Sequence, residues 1–391
     1  MLGLVALAAL ATAAVPTVRT QQGLVLGTAV GAGSAERYAG VPYALPPVRL
    51  ARAAESTEAW PGGVLNATRA GAPCLQNPDG DPRINGDDSV PPPSEDCLHL
   101  TIWRPAPTAE APPPLRPVLV YVFGGGLCTG INNDPEMDGA SLASREDVIV
   151  VTVSYRVGAL GFLPAVQGAF GLSGGGRDPG NGGMNGIYDI IVALRWLQVH
   201  LASFGGDAER VTLFGQSSGS YAVCTLCVSH AARGLFSAAA LQSGPCFGGP
   251  PGRGWGPVTS ITPAAVAAEV LTKLNVTDVL GLRRLRDASL VQWPARLMDD
   301  LALAPYFSGY FVDAAVVSAS PEELWRRAAA GGGGGGSGIL VPRALIVGAT
   351  SKDGTAGFYG TAPTLGNVPP DPKQVTTTTQ PHTPPAHHQH S

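Results

Sequence analysis

Residues 211–220 read VTLFGQSSGS, an apolar run carried straight into Gly215, Gln216, Ser217, Ser218 and Gly219 and followed by a helix-like segment. Glycines on either side of three residues, at a junction of strand and helix, force a sharp bend that holds its central serine out for attack. The bend needs a strand feeding a helix, so it commits the chain to α/β layering. The other segments agree. Strand-like runs at Val118–Phe123, Val148–Ser154, Val211–Phe214, Ala238–Leu241 and Leu345–Val347 alternate with helical ones, the pattern of an α/β fold with a largely parallel sheet. Ile187, Ile190, Ile191, Leu194, Leu197 and Leu201 recur at helical spacing and predict one apolar face against that sheet. Phe204 to Asp207 then turns the chain. Thr262 before Pro263 predicts a capped helix to about Leu274, and a further helical pattern covers Asp278 to Arg286.

With 391 residues, 45% apolar and 14% charged, the chain has material for a large core. A net charge of −4 without a basic block excludes nucleic acid and an anionic membrane as expected partners and suits a small neutral substrate. No cofactor or metal is expected, and the oligomeric state is open. Leu2 to Ala14 are apolar or small, with Ala11, Thr12 and Ala13 resembling a cleavage site, so residues 1–13 are expected to be a signal peptide and the mature chain secreted or lumenal. In that oxidising setting the even number of cysteines predicts bridges. Cys74 and Cys97 bracket a polar stretch that a bridge would staple, Cys224 and Cys227 fall in an apolar helix and read as structural, and the pairing of Cys128, Cys224, Cys227 and Cys246 is open. Asn66 and Asn275 open glycosylation sequons. Residues 171–183 and 331–336 are low in complexity, and the Pro/Thr/Gln/His composition of 363–391 predicts a disordered tail.

Acyl transfer by serine needs a nucleophile, a base, a group that orients the base, and donors for the developing oxyanion. Ser217 is the candidate nucleophile. Phe123 ends a strand and is followed by Gly124, Gly125 and Gly126, whose backbone N–H groups can face a substrate carbonyl, with the N–H of Ser218 as a further donor. From here the chain resembles the type-B carboxylesterase family of α/β-hydrolases. The likeness runs in order through TQQGLVLG, YAGVPYALPPV, Cys74, EDCLHLTIW, VYVFGGGL, VSYRVGALGFL, LASFGGD, VTLFGQSSG, LQSGP and GATSKDG, over roughly residues 17 to 360. The resemblance implies a mostly parallel twisted sheet flanked by helices over residues 17–362, a Cys74–Cys97 bridge, an oxyanion hole from Gly125, Gly126 and Ser218, and Asp353 as the acid that orients the base. The chain departs from the family pattern at Phe123 (for His or Tyr), Gln216 (for Glu), Ser218 (for Ala) and Asp353 (for Glu).

The family's catalytic histidine follows a later strand, which this sequence does not reach before its polar tail. His99 sits where the family has an aromatic and His200 ends a helix. His230 lies more than three helical turns from Ser217, roughly 19 Å at 1.5 Å per residue. His382, His387, His388 and His390 fall in the tail. The fold is therefore expected to lack its C-terminal strand and helices, and loss of a triad histidine lowers kcat by about 10⁶ in a well-studied serine protease. The expected function is a serine carboxylic ester hydrolase, impaired in this chain; the alternative is a non-catalytic adhesion module of the neuroligin type. No tryptophan lies between Cys74 and Cys97 to hold a quaternary ammonium, which disfavours choline esters.

Overall fold

The computed structural model describes residues 15–76, 90–107, 114–163, 183–244, 268, 270–286, 315–329, 342 and 344–348. All of them lie in the first of two units, Met1–Gly348. The expected signal segment, the 363–391 tail, Asp353, Cys246, the four tail histidines and most of the helix expected from Thr262 lie outside the described residues; residues 270–273 are helical.

The strands are β1 (Thr17–Thr20), β2 (Gly23–Leu26), β3 (Thr28–Val30), β4 (Ala35–Pro42), β5 (Val64–Asn66), β6 (His99–Pro105), β7 (Arg116–Val122), β8 (Ile149–Val153), β9 (Gly206–Gln216), β10 (Ala238–Gln242) and β11 (Ala344–Gly348). The α-helices are α1 (Ala140–Glu146), α2 (Gly158–Phe162), α3 (Asn185–His200), α4 (Ser218–Cys227), α5 (Val279–Arg284) and α6 (Pro321–Ala329). Each strand expected from the sequence is present within a few residues. β1, β2 and β5 form a small sheet, and the main sheet runs β11-β10-β9-β7-β8-β6-β4-β3. Its pairings from β8 through β7, β9 and β10 to β11 are parallel, whereas β8–β6, β6–β4 and β4–β3 are antiparallel. A largely parallel sheet is thus correct, with an antiparallel flank that the alternation of strand and helix could not reveal.

The centre of the sheet is dry. Val118, Val120, Val122, Ile149, Val151, Val153, Val211 and Leu213 are all fully buried, as parallel strands covered on both faces must be. Helix α3 covers one side with the face that periodicity predicts: Ile187, Ile190, Ile191, Leu194, Leu197 and Leu201 are buried. A one-turn 3₁₀ helix, Leu201–Phe204, and left-handed Gly205 (φ 84°) make the turn into β9.

An ion pair is buried in this core. Arg156, just after β8, donates from Nε to Asp189 Oδ2 at 2.8 Å and from the guanidinium to Oδ1 at 2.7 Å, and its backbone N–H also reaches Oδ2 at 3.1 Å. Both side chains are almost wholly removed from solvent. A two-pronged pair of this kind sets the exit of β8 rigidly on α3.

After β7 the chain goes to β8 on one side and then returns to β9 on the other. The carboxyl ends of β7 and β9 therefore flank the point at which strand order reverses, the place where open α/β sheets bind ligands.

Candidate active site

The register pairs Val122 with Gly215, so the glycine loop after β7 and the bend after β9 emerge side by side. Ser217 stands between β9 and α4 with φ 55° and ψ −126°, a conformation rare for a residue with a side chain. Its N–H donates to Gln242 O at 2.9 Å, and its own carbonyl accepts from Tyr221 N at 3.3 Å. The strained serine is thus anchored on both sides, and its side chain is left part-exposed. Close packing explains the flanking glycine: a Cβ at Gly219 would lie 2.2 Å from Val122 O and 2.6 Å from Phe123 O. Only glycine lets α4 start this close to the end of β7.

The loop opposite is equally constrained. A Cβ at Gly124 would lie 3.1 Å from that of Ser217, while Gly125 and Gly126 adopt φ of 111° and 67°. Among the described residues no carbonyl is paired with the N–H of Gly125 or of Gly126. Ser218 opens α4, where first-turn N–H groups have no partner within the helix. The three residues expected to supply oxyanion donors are thus at the elbow and at the loop facing it.

What holds the loop was not visible in the sequence. Phe123 stacks on Tyr155 with ring centroids 4.3 Å apart, and Tyr155 donates its hydroxyl to Phe123 O at 2.7 Å. Leu127, at φ 60°, donates its N–H to Ser218 Oγ at 3.1 Å and accepts from Gly158 N at 2.6 Å. Gln76 accepts from Gly130 N at 2.7 Å and donates to Gly130 O at 2.9 Å. Gln76 is buried two residues after Cys74, which is bridged to Cys97. That bridge is the one the family resemblance implied.

The other described cysteines are Cys128, Cys224 and Cys227. Cys128 follows the glycine loop and is free, but burial pushes its thiol up to about 11 and keeps it protonated at neutral pH. Cys227 is free and buried in α4, and Cys224 is disulfide-bonded, so the expected structural role of this pair holds. The sequon asparagines are both exposed: Asn66 accepts from Thr68 N and Oγ1 at 3.2 and 2.7 Å, and Asn275 is left-handed at φ 54°.

The described histidines are elsewhere. His99 opens β6 and packs on Gly71, where a Cβ would lie 1.9 Å from its ring. His200 closes α3, buried, with its ring tilted against that of Trp196 at a centroid distance of 4.3 Å. His230 is exposed at the start of a 3₁₀ turn beyond α4. Burial holds both His99 and His200 below the usual imidazole range. Among the described residues none is hydrogen-bonded to Ser217.

Residues 14–376 match the model of the carboxylesterase family. Among curated proteins the chain is 40% identical over 213 residues to pyrethroid hydrolase Ces2e of Rattus norvegicus and 39% identical over 238 residues to carboxylesterase 3 of Homo sapiens. These matches cover 53% and 59% of this chain but 35% and 39% of the relatives, so the chain aligns with well under half of either protein. A solved PNB esterase superposes with a TM-score of 0.68 at 27% identity, covering 90% of this chain and 66% of that one. With the serine bend, the glycine loop and the sheet that brings them together, this extent of similarity means that the chain belongs to the carboxylesterase family.

Proposed function

We propose that this chain carries the nucleophile and the oxyanion hole of a serine carboxylic ester hydrolase. Ser217 Oγ attacks the ester carbonyl, the alkoxide leaves as the alcohol, and an acyl-Ser217 intermediate is then hydrolysed. The N–H groups of Gly125, Gly126 and Ser218 receive the developing oxyanion. The observation that carries this reading is the strained Ser217, at φ 55° beside Gly124, next to a glycine loop in which the N–H groups of Gly125 and Gly126 have no backbone partner among the described residues. An adhesive module has no need of so costly a conformation. The substrate class is small neutral carboxylic esters, and Asp353 is the acid assigned to orient the base. Export through the secretory pathway and glycans on Asn66 and Asn275 belong to the same reading.

We further propose that turnover by the 391-residue chain is strongly impaired. Two things support this: none of His99, His200 and His230 is bonded to Ser217, and the remaining histidines fall in a proline- and threonine-rich stretch with little apolar content.

The test is acylation of purified protein by p-nitrophenyl acetate, and phosphonylation by a fluorophosphonate, each read by peptide mass spectrometry against Ser217→Ala. Without added base we expect labelling close to that control. Free imidazole should then take the missing part of proton acceptor and produce an adduct on Ser217. Rapid stoichiometric labelling without imidazole would overturn the impairment, whereas no adduct on Ser217 under either condition would overturn the hydrolase reading.

A further inference from the structure

We infer that the Ser218 hydroxyl is a positioning group: it latches the glycine loop to the serine bend. The inference rests on the reading of Ser217 as nucleophile and deepens it. Ser218 then has two tasks. Its backbone N–H is a candidate oxyanion donor, while its Oγ accepts from the N–H of Leu127 at 3.1 Å, in a setting from which water is excluded. Leu127 is the residue directly after Gly126, and it has φ 60°, which a leucine does not adopt unless it is held.

The loop has other supports, and their positions show why this one matters. Tyr155 fixes the carbonyl of Phe123 before the glycines, and Gln76 fixes both backbone groups of Gly130 after them. Gly158 N reaches the Leu127 carbonyl from the β8 side. Among the described residues Ser218 is the side chain that ties the segment next to Gly125 and Gly126 to the elbow itself by a hydrogen bond, so it sets the spacing between nucleophile and donors. An alanine there keeps the N–H of residue 218 but leaves the buried Leu127 N–H without its acceptor. The donors of the loop would then drift relative to Ser217, and donor placement within a fraction of an ångström governs oxyanion stabilisation.

The test compares wild type, Ser218→Ala and Ser218→Thr, the last keeping the hydroxyl, by amide hydrogen exchange and by imidazole-assisted acylation of Ser217. In Ser218→Ala the Leu127 amide should exchange at least about ten-fold faster while that of Gly130 is unchanged. Acylation should slow by about ten- to a hundred-fold with no change in the ester concentration that half-saturates it. The preference for an oxo ester over its thiono counterpart should narrow, because sulfur accepts hydrogen bonds poorly and gains little from a well-placed donor. Ser218→Thr should restore all three. If the alanine variant is unstable, Ser218→Cys, a weaker acceptor of similar size, supplies the same readings. Unchanged Leu127 exchange, or unchanged acylation with faster exchange, overturns the inference. Should wild type form no adduct on Ser217, the nucleophile reading falls, and Leu127 exchange alone decides whether the latch exists.

Discussion

The bend after β9 and the loop after β7 lie side by side in the sheet, yet they are held by different means. The bend is held by close approach of backbones: Gly215 and Gly219 meet the end of β7, and the Ser217 N–H is taken by Gln242 of neighbouring β10. The loop leans on side chains from distant parts of the chain, Gln76 beside the disulfide, Tyr155 and Gly158 beyond β8, and Ser218 at the start of α4. A nucleophile can thus be presented by a local motif, whereas a set of donors facing it is a product of the whole fold.

The contrast can be broken at several depths. The largest effect is expected at Asp189→Ala, which strands the Arg156 guanidinium in the core and frees the segment that carries Tyr155 and Gly158. We expect a loss of about 3–5 kcal/mol in urea unfolding. Asp189→Asn, retaining one acceptor, should cost less. Next comes Gly219→Ala, which drives a methyl group into the Val122 and Phe123 carbonyls and should cost about 3 kcal/mol. Here labelling of Ser217 should vanish with the bend while the disulfide side of the loop stays protected from exchange. Gln76→Leu does the reverse. It leaves both backbone groups of Gly130 unpaired, should cost about 2 kcal/mol, and should raise exchange at Gly130 while leaving the Ser217 amide protected.

The smallest effect concerns pH. Burial holds His200 neutral, below the ordinary imidazole value of about 6.5, so the unfolded chain binds a proton there before the folded one does. The stability that depends on this is fully present above pH 6.5 and declines as the pH falls from there towards the folded-state value. His200→Phe, which keeps the ring contact with Trp196, should flatten the fall in stability below pH 6.5 in urea melts. An unchanged slope would assign acid sensitivity to other groups, with His99 as the next to test.

Much of the scaffold could be read without coordinates because its causes are local. Apolar runs of three to seven residues between turn signals mark β7 to β11, and the spacing of Ile187 through Leu201 marks α3 and its buried face. The antiparallel flank β3, β4 and β6 was not legible, since strand direction depends on which neighbours pair. Gln76 was equally silent: a glutamine two residues after a cysteine carries no signal until the chain folds back to place it on Gly130. The departure from alanine at Ser218 was noticeable, but its partner, a backbone amide 91 residues away, was not.

The amino-acid order alone determined where a serine would be raised on a strained turn, where three glycines would bare their amides, and which helix face would be dry. Those outcomes depend on steric and hydrophobic preferences within a few residues. Tertiary structure decided that the serine bend and the glycine loop stand side by side, what locks them together, and that none of His99, His200 and His230 is hydrogen-bonded to the serine. Each of these is a relation between segments far apart in the chain, fixed only when burial of the sheet forces their polar groups to find partners.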